Sequence, residues 1–154
     1  MIASPLAASN PIPETSERRA ALSLQIRTAT GLDEAVLERL MRAFYATARE
    51  DDMLKPMFAH VQDWEAHIAR ITSFWSSAAL MSGEYHGQPL RPHVPLNLHQ
   101  PHFARWLALF QATAGQVCTP EGAAFMMEKA RRIAQSLEFG CAVARGELPV
   151  RGRA

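Results

Sequence analysis

Between Trp64 and Trp75 the stretch WEAHIARITSFW returns a large side chain every three or four residues: Trp64, His67, Ile71, Phe74 and Trp75. That is the period of one helix face, so the run predicts a helix whose aromatic side points inward. Further on, GQPLRPHVPL carries Pro89, Pro92 and Pro95. Prolines at that density rule out a long regular helix and leave at most a single turn. Each segment holds one histidine, His67 on the helical face and His93 among the prolines. Any fold of this chain must therefore accommodate a long aromatic helix and a short stiff segment close behind it, with imidazoles in opposite kinds of local structure.

The remaining chain is helical in pattern as well. Residues 1–14 are rich in Ala, Ser and Pro without periodicity and read as a disordered lead. Thr15 or Ser16 can cap a helix through SERRAALSLQIR, broken between Thr28 and Leu32. Asp33 caps a second helix of about 17 residues that aligns Leu37, Met41, Phe44, Tyr45 and Ala48. Asp51-Asp52 open a short turn ending near Pro56 and Phe58, and the His67 helix is expected from Gln62 to Met81, with Gly83 and Gly87 after it. Another begins near His99–Pro101 and carries Phe103, Trp106, Leu107 and Phe110. Thr119-Pro120 starts the last, which should bury Phe125, Met126, Ala130, Ile133 and Leu137 before a frayed tail from 146 to 154. No strand alternation is present. The chain reads as all-α, with one domain over 15–145.

Composition narrows the partners. A formal charge of +1, with 20% charged residues, gives no basic face for nucleic acid and no field for an anionic membrane. No apolar run reaches the roughly 18 residues needed to span a bilayer, and the first residues lack the pattern of a secretory signal. A cytoplasmic location is the expectation. Cys118 and Cys141 form no CxxC or CxxCH, which argues against zinc ribbons and covalently attached haem and predicts buried free thiols.

The chemistry the residues permit is broader than one answer. A neutral imidazole on a proline-held turn, as at His93, can meet a metal along its axis. Tyr45 O–H, His67 and the Trp106 indole N–H are donors from three helices that could stabilise charge developing on a small ligand in a dry pocket. Each has a plainer reading: Tyr45 and Trp106 as core aromatics, His67 as an ordinary inward histidine, His93 as a loop residue. In that case the chain is a non-haem helical interaction module. His99 and His102 rival His93 as ligands, and zinc or non-haem iron through His67, His93, His99 and His102 lacks a carboxylate or cysteine at usual spacing.

Taken together and in order, Phe44-Tyr45, Phe58, Trp64-x-x-His67, Phe74-Trp75, Tyr85-x-Gly87-x-Pro89-Leu90, His93 and His102-Phe103-x-Arg105-Trp106-Leu107-x-Leu109-Phe110 resemble the truncated haemoglobins, most closely their third group. The resemblance spans about residues 33–140. It implies a shortened globin, two helical hairpins stacked two-over-two around a b-type haem. Position by position, it makes His93 the proximal iron ligand, with Tyr45 and Trp106 as distal donors. His67 becomes the distal histidine, able to swing, gate the pocket or itself ligate iron. Phe58, Phe74 and Phe103 become aromatic contacts of the porphyrin, Ile71 a distal wall, and Arg70 a partner for a haem propionate. The expected ligands are the diatomic gases O2, NO and CO, with peroxide as a further candidate; three polar donors exceed what reversible storage requires and suit nitric oxide dioxygenase or peroxidase-like chemistry served by an unknown reductase. The segment before the second helix has no counterpart in that pattern.

Overall fold

Asp33, Asp63 and Thr119 decide where three of the long helices begin. Each turns its side-chain oxygen back onto the backbone N–H three residues ahead, at 2.8, 3.1 and 2.9 Å. That is how a short polar side chain satisfies a donor that the first turn leaves open. In the computed structural model, which describes residues 15–147, the elements are α1 (Ser16–Thr30), α2 (Glu34–Ala48), a 3-10 turn (Lys55–Phe58), α3 (Trp64–Leu80), α4 (Leu90–His93), a second 3-10 turn (Val94–Leu96), α5 (Gln100–Val117) and α6 (Pro120–Ala144). No strand occurs among the described residues. The lead expected over 1–14 and the tail from 148 on lie outside them.

Helix α2 is the centre of the packing. Leu37, Leu40, Met41, Phe44, Tyr45 and Ala48 are all buried, at the three- and four-residue steps of one face. Burying each of the larger ones contributes roughly 1.5–3 kcal/mol. The face meets α3 on one side and α5 on the other, and α5 forms a hairpin with α6 across the two-residue link Cys118-Thr119. Two pairs, α2–α3 and α5–α6, are thus stacked, and α1 lies against α3 and α6. This is the shortened two-over-two globin arrangement.

Helix boundaries shift from expectation for local reasons. Helix α2 has 15 residues and not about 17, ending at Ala48, and α3 starts at Trp64 because Asp63, not a residue near Gln62, is its cap. Its stop is set by Met81, a non-glycine residue in the left-handed region at φ 58°, followed by Gly83 at φ 73°. On α6 the buried positions are Gly122, Met126, Met127, Ala130, Ala134 and Cys141, whereas Phe125, Ile133 and Leu137 are half-buried. Of the two free thiols only Cys141 is buried; Cys118, at the α5–α6 link, is half-exposed.

Long-range ties hold the ends. The Thr119 hydroxyl donates to the Thr30 carbonyl at 2.6 Å, joining the end of α1 to the start of α6. Arg27 binds Glu34 through both nitrogens at 2.7 and 2.6 Å, and this pair pulls the Glu34 carboxyl down to about 2. Arg145 donates to the Leu98 carbonyl at 2.7 Å, clamping the corner that leads into α5. Glu147, expected in a frayed tail, instead pairs with Arg145 at 2.6 Å.

Candidate functional site

A cavity of about 430 Å³ opens between α2, α3, α4 and α5, with α6 behind it. That is the size of a small-molecule or cofactor pocket. The nine residues to which the resemblance gives a role all line it: Tyr45 from α2, Phe58 from the first 3-10 turn, His67, Arg70, Ile71 and Phe74 from α3, His93 from α4, and Phe103 and Trp106 from α5. The inward face of α3 explains itself here. Trp75 is buried, while His67, Ile71 and Phe74 are only half-buried because they look into the cavity.

His93 has its tautomer set by its own turn. With α4 a single turn, the Nδ1–H donates to the Pro89 carbonyl four residues back. A carbonyl can only accept, so Nδ1 carries the proton and Nε2 keeps a free lone pair. Burial lowers the imidazole below its ordinary pKa, outweighing the Pro89 carbonyl, which raises it. The ring is therefore a neutral potential ligand. Its two rivals are disposed differently. His102 accepts the His99 backbone N–H on Nδ1 at 2.9 Å, which puts its proton on Nε2. His99 turns Nε2 to the Asn97 side-chain oxygen at 3.1 Å and does not line the cavity. Only His93 presents the cavity with a lone pair held by such a bond.

His67 lines the same cavity. Its Nε2 is buried and has no hydrogen-bond partner among the described residues. Leaving such an atom unpaired costs about 1–3 kcal/mol, so it marks a place where another group belongs. Burial above all, then the charges of Arg70, His60 and His93, bring this imidazole down to about 4, so it too is neutral near pH 7. Tyr45 stands edge-on to it, ring centres 5.2 Å apart at 86°, and edge-on to Phe58 at 5.5 Å. Burial pushes the Tyr45 phenol above its usual range, which keeps its O–H a donor. Trp106 is stacked on Phe110 at 5.0 Å and on Trp75 at 6.5 Å, and Phe44 wedges between it and Tyr45. Arg70 is exposed at the mouth.

Sequence reasoning missed several walls. Leu54, Met57, Leu96 and Leu98 close the cavity from turns too short to show a period, and His60 reaches it from a loop; His102, named in the sequence as a rival ligand, lines it from the start of α5. Trp75, Tyr85, Ile133 and Leu137 were visible as apolar or motif positions but not as lining. Among the described residues, no three His, Cys, Asp or Glu side chains are grouped to hold a metal ion by themselves, and no helix is long and apolar enough to cross a membrane.

The residues fit a metalloporphyrin on two counts: an imidazole whose other nitrogen is held by a backbone carbonyl, and apolar walls interrupted by a buried nitrogen unpartnered among the described residues. No family model matches the chain. The group 3 truncated hemoglobin ctb of Campylobacter jejuni is 31% identical over 113 residues, which cover 70% of this chain and 89% of that protein. The crystal structure of group III truncated hemoglobin from Campylobacter jejuni aligns with a TM-score of 0.65 at 28% identity, over 79% of this chain and 96% of that one. With the same helices in space and that identity along nearly the whole relative, the chain belongs to the group 3 truncated haemoglobins.

Proposed function

We propose that the protein holds a b-type haem through His93 Nε2 and binds diatomic gases, O2 foremost, on the side of Tyr45, His67 and Trp106. The observation that carries this reading is the His93 tautomer: a neutral imidazole whose Nδ1–H is held by Pro89 and whose lone pair is left to the cavity. Haem, when bound, would supply an iron to which His93 Nε2 could coordinate and which could bind small diatomic ligands. The family supports it, since the relatives are named as hemoglobins.

The chain's own part is electrostatic. Tyr45 O–H and Trp106 N–H donate to whatever negative charge gathers in the cavity, and its apolar walls exclude the water that would screen them. Neutral His67 can donate or accept. It can take the proton of an entering hydroperoxide and return it to the departing oxygen. Peroxide reduction to water, or nitric oxide dioxygenation, then needs electrons from a reductase. The unpartnered His67 Nε2 favours one second reading, a resting state in which this nitrogen is itself an iron ligand and must swing away first.

The test is an absorption spectrum of the purified protein in ferric, ferrous and carbon-monoxide-bound forms, beside His93→Ala. An intense porphyrin band that shifts with reduction and carbon monoxide, and is weakened or displaced in the variant, is the expected result. A colourless protein that refuses added haemin would leave the helical interaction module as the reading.

A further inference from the structure

His102 is, with His60, one of two cavity-lining histidines that the proposed ligand set does not use. Its backbone is the third residue of α5, and its Nδ1 accepts the His99 N–H at 2.9 Å, closing the first turn of that helix. An acceptor nitrogen cannot carry the proton in a neutral ring, so the proton is on Nε2. The side chain is half-buried and lines the cavity, and Nε2 makes no hydrogen bond to another described residue. The result is the mirror image of His93: one histidine offers the cavity a lone pair, the other an N–H. The lining also contains Arg70 and His60 but no Asp or Glu. A donor set of this kind, without a competing anion, suits a carboxylate at the edge of an otherwise apolar guest.

We infer that His102 Nε2–H donates to a carboxylate on the rim of the bound tetrapyrrole, as an anchor separate from Arg70. This rests on the haem reading above. The bond to His99 serves it directly, because it locks the ring's tautomer and rotation before the guest arrives and so lowers the ordering cost of binding. The helix start at His99 therefore has two tasks, closing α5 and aiming a donor.

The experiment compares haemin with haemin dimethyl ester, in which both carboxylates are masked, in wild type and in two variants. His102→Glu keeps an acceptor for the His99 N–H, as in an ordinary capping box, but replaces the donor with a negative charge. His102→Gln keeps both the acceptor and an N–H donor. Haemin transfer to an excess of a haem-scavenging apoprotein is followed by absorbance. His102→Glu is expected to lose haemin about tenfold faster than wild type, in line with the loss of a hydrogen bond to a charged group. It should lose the diester at the wild-type rate, and His102→Gln should stay near wild type with both. Equal acceleration for haemin and diester would mean that His102 only supports α5, and an unchanged haemin rate in His102→Glu would equally overturn the anchor. If wild type takes up neither compound, the haem reading itself fails, an outcome distinct from both.

Discussion

At the residue scale the site turns on where single protons sit. His67 is half-buried and uncharged with its titration near 4, and burial lowers His93 as well. The unfolded chain, with ordinary histidines near 6.5, takes up protons first as pH falls. Stability of the haem-free protein is therefore complete above about pH 6.5 and declines as pH drops towards 4, where His67 itself charges. Urea midpoints measured from pH 7 to pH 4 should trace this decline, and His67→Leu should flatten it; an unchanged slope would remove His67 as a cause. For gas binding, Tyr45→Phe deletes one donor and nothing else of size. Dioxygen release from the haem-loaded variant should quicken roughly 10- to 100-fold, the worth of one hydrogen bond to a charged acceptor. Stopped-flow release that matches wild type would assign Tyr45 to the core alone.

At the element scale the junction of α1 and α6 shows how a backbone approach can override helix propensity. Gly122 is buried in the first turn of α6, and a Cβ there would stand 2.8 Å from the Thr30 carbonyl oxygen and 3.1 Å from Thr119 Oγ1. Alanine normally favours a helix over glycine by about 1 kcal/mol. Here Gly122→Ala should instead destabilise by about 1–3 kcal/mol, because the obstacle is backbone held by the Thr119 hydroxyl. Thr119→Ala, which removes both the cap to Gly122 and the bond to Thr30, should cost about 1–2 kcal/mol. Chemical denaturation reads both, and a stabilised Gly122→Ala would show that α1 and α6 can part freely. Thr119-Pro120 was legible as a helix start from residue types alone. That Thr119 also reaches a carbonyl 89 positions earlier in the chain was not, since no local pattern encodes it.

At the scale of the whole molecule, α1 stands apart from the cavity. Every lining residue falls between Tyr45 and Leu137, while α1 is attached through the Arg27–Glu34 pair, the Thr30–Thr119 bond and half-buried Ile26. Deleting residues 1–29 should lower the melting temperature by several degrees, the shift expected for a loss of about 1–2 kcal/mol, and leave the haem spectrum unchanged. Circular-dichroism melts beside absorption spectra check this. An altered spectrum would mean that α1 reaches the site through α3. Haem, as a ligand of the folded state alone, should raise the melting temperature of both forms.

Local rules were enough for the helices, their caps and their apolar faces. Asp33, Asp63 and Thr119 act within four residues, and the spacing of Leu37, Met41, Phe44 and Tyr45 is a property of one helix. The proline run likewise confined His93 to one turn. The residue order carried the family resemblance too, and so the cast of the cavity. Which histidine offers a lone pair was a different kind of question. His93, His99 and His102 are equivalent in composition, and they were separated only when Pro89, Asn97 and the His99 N–H came within bonding distance of their rings. The convergence of Tyr45, His67, His93 and Trp106 on one cavity was equally beyond any local pattern. It arises from packing between helices that are distant along the chain, where side-chain volume and burial, not periodicity, decide which faces meet.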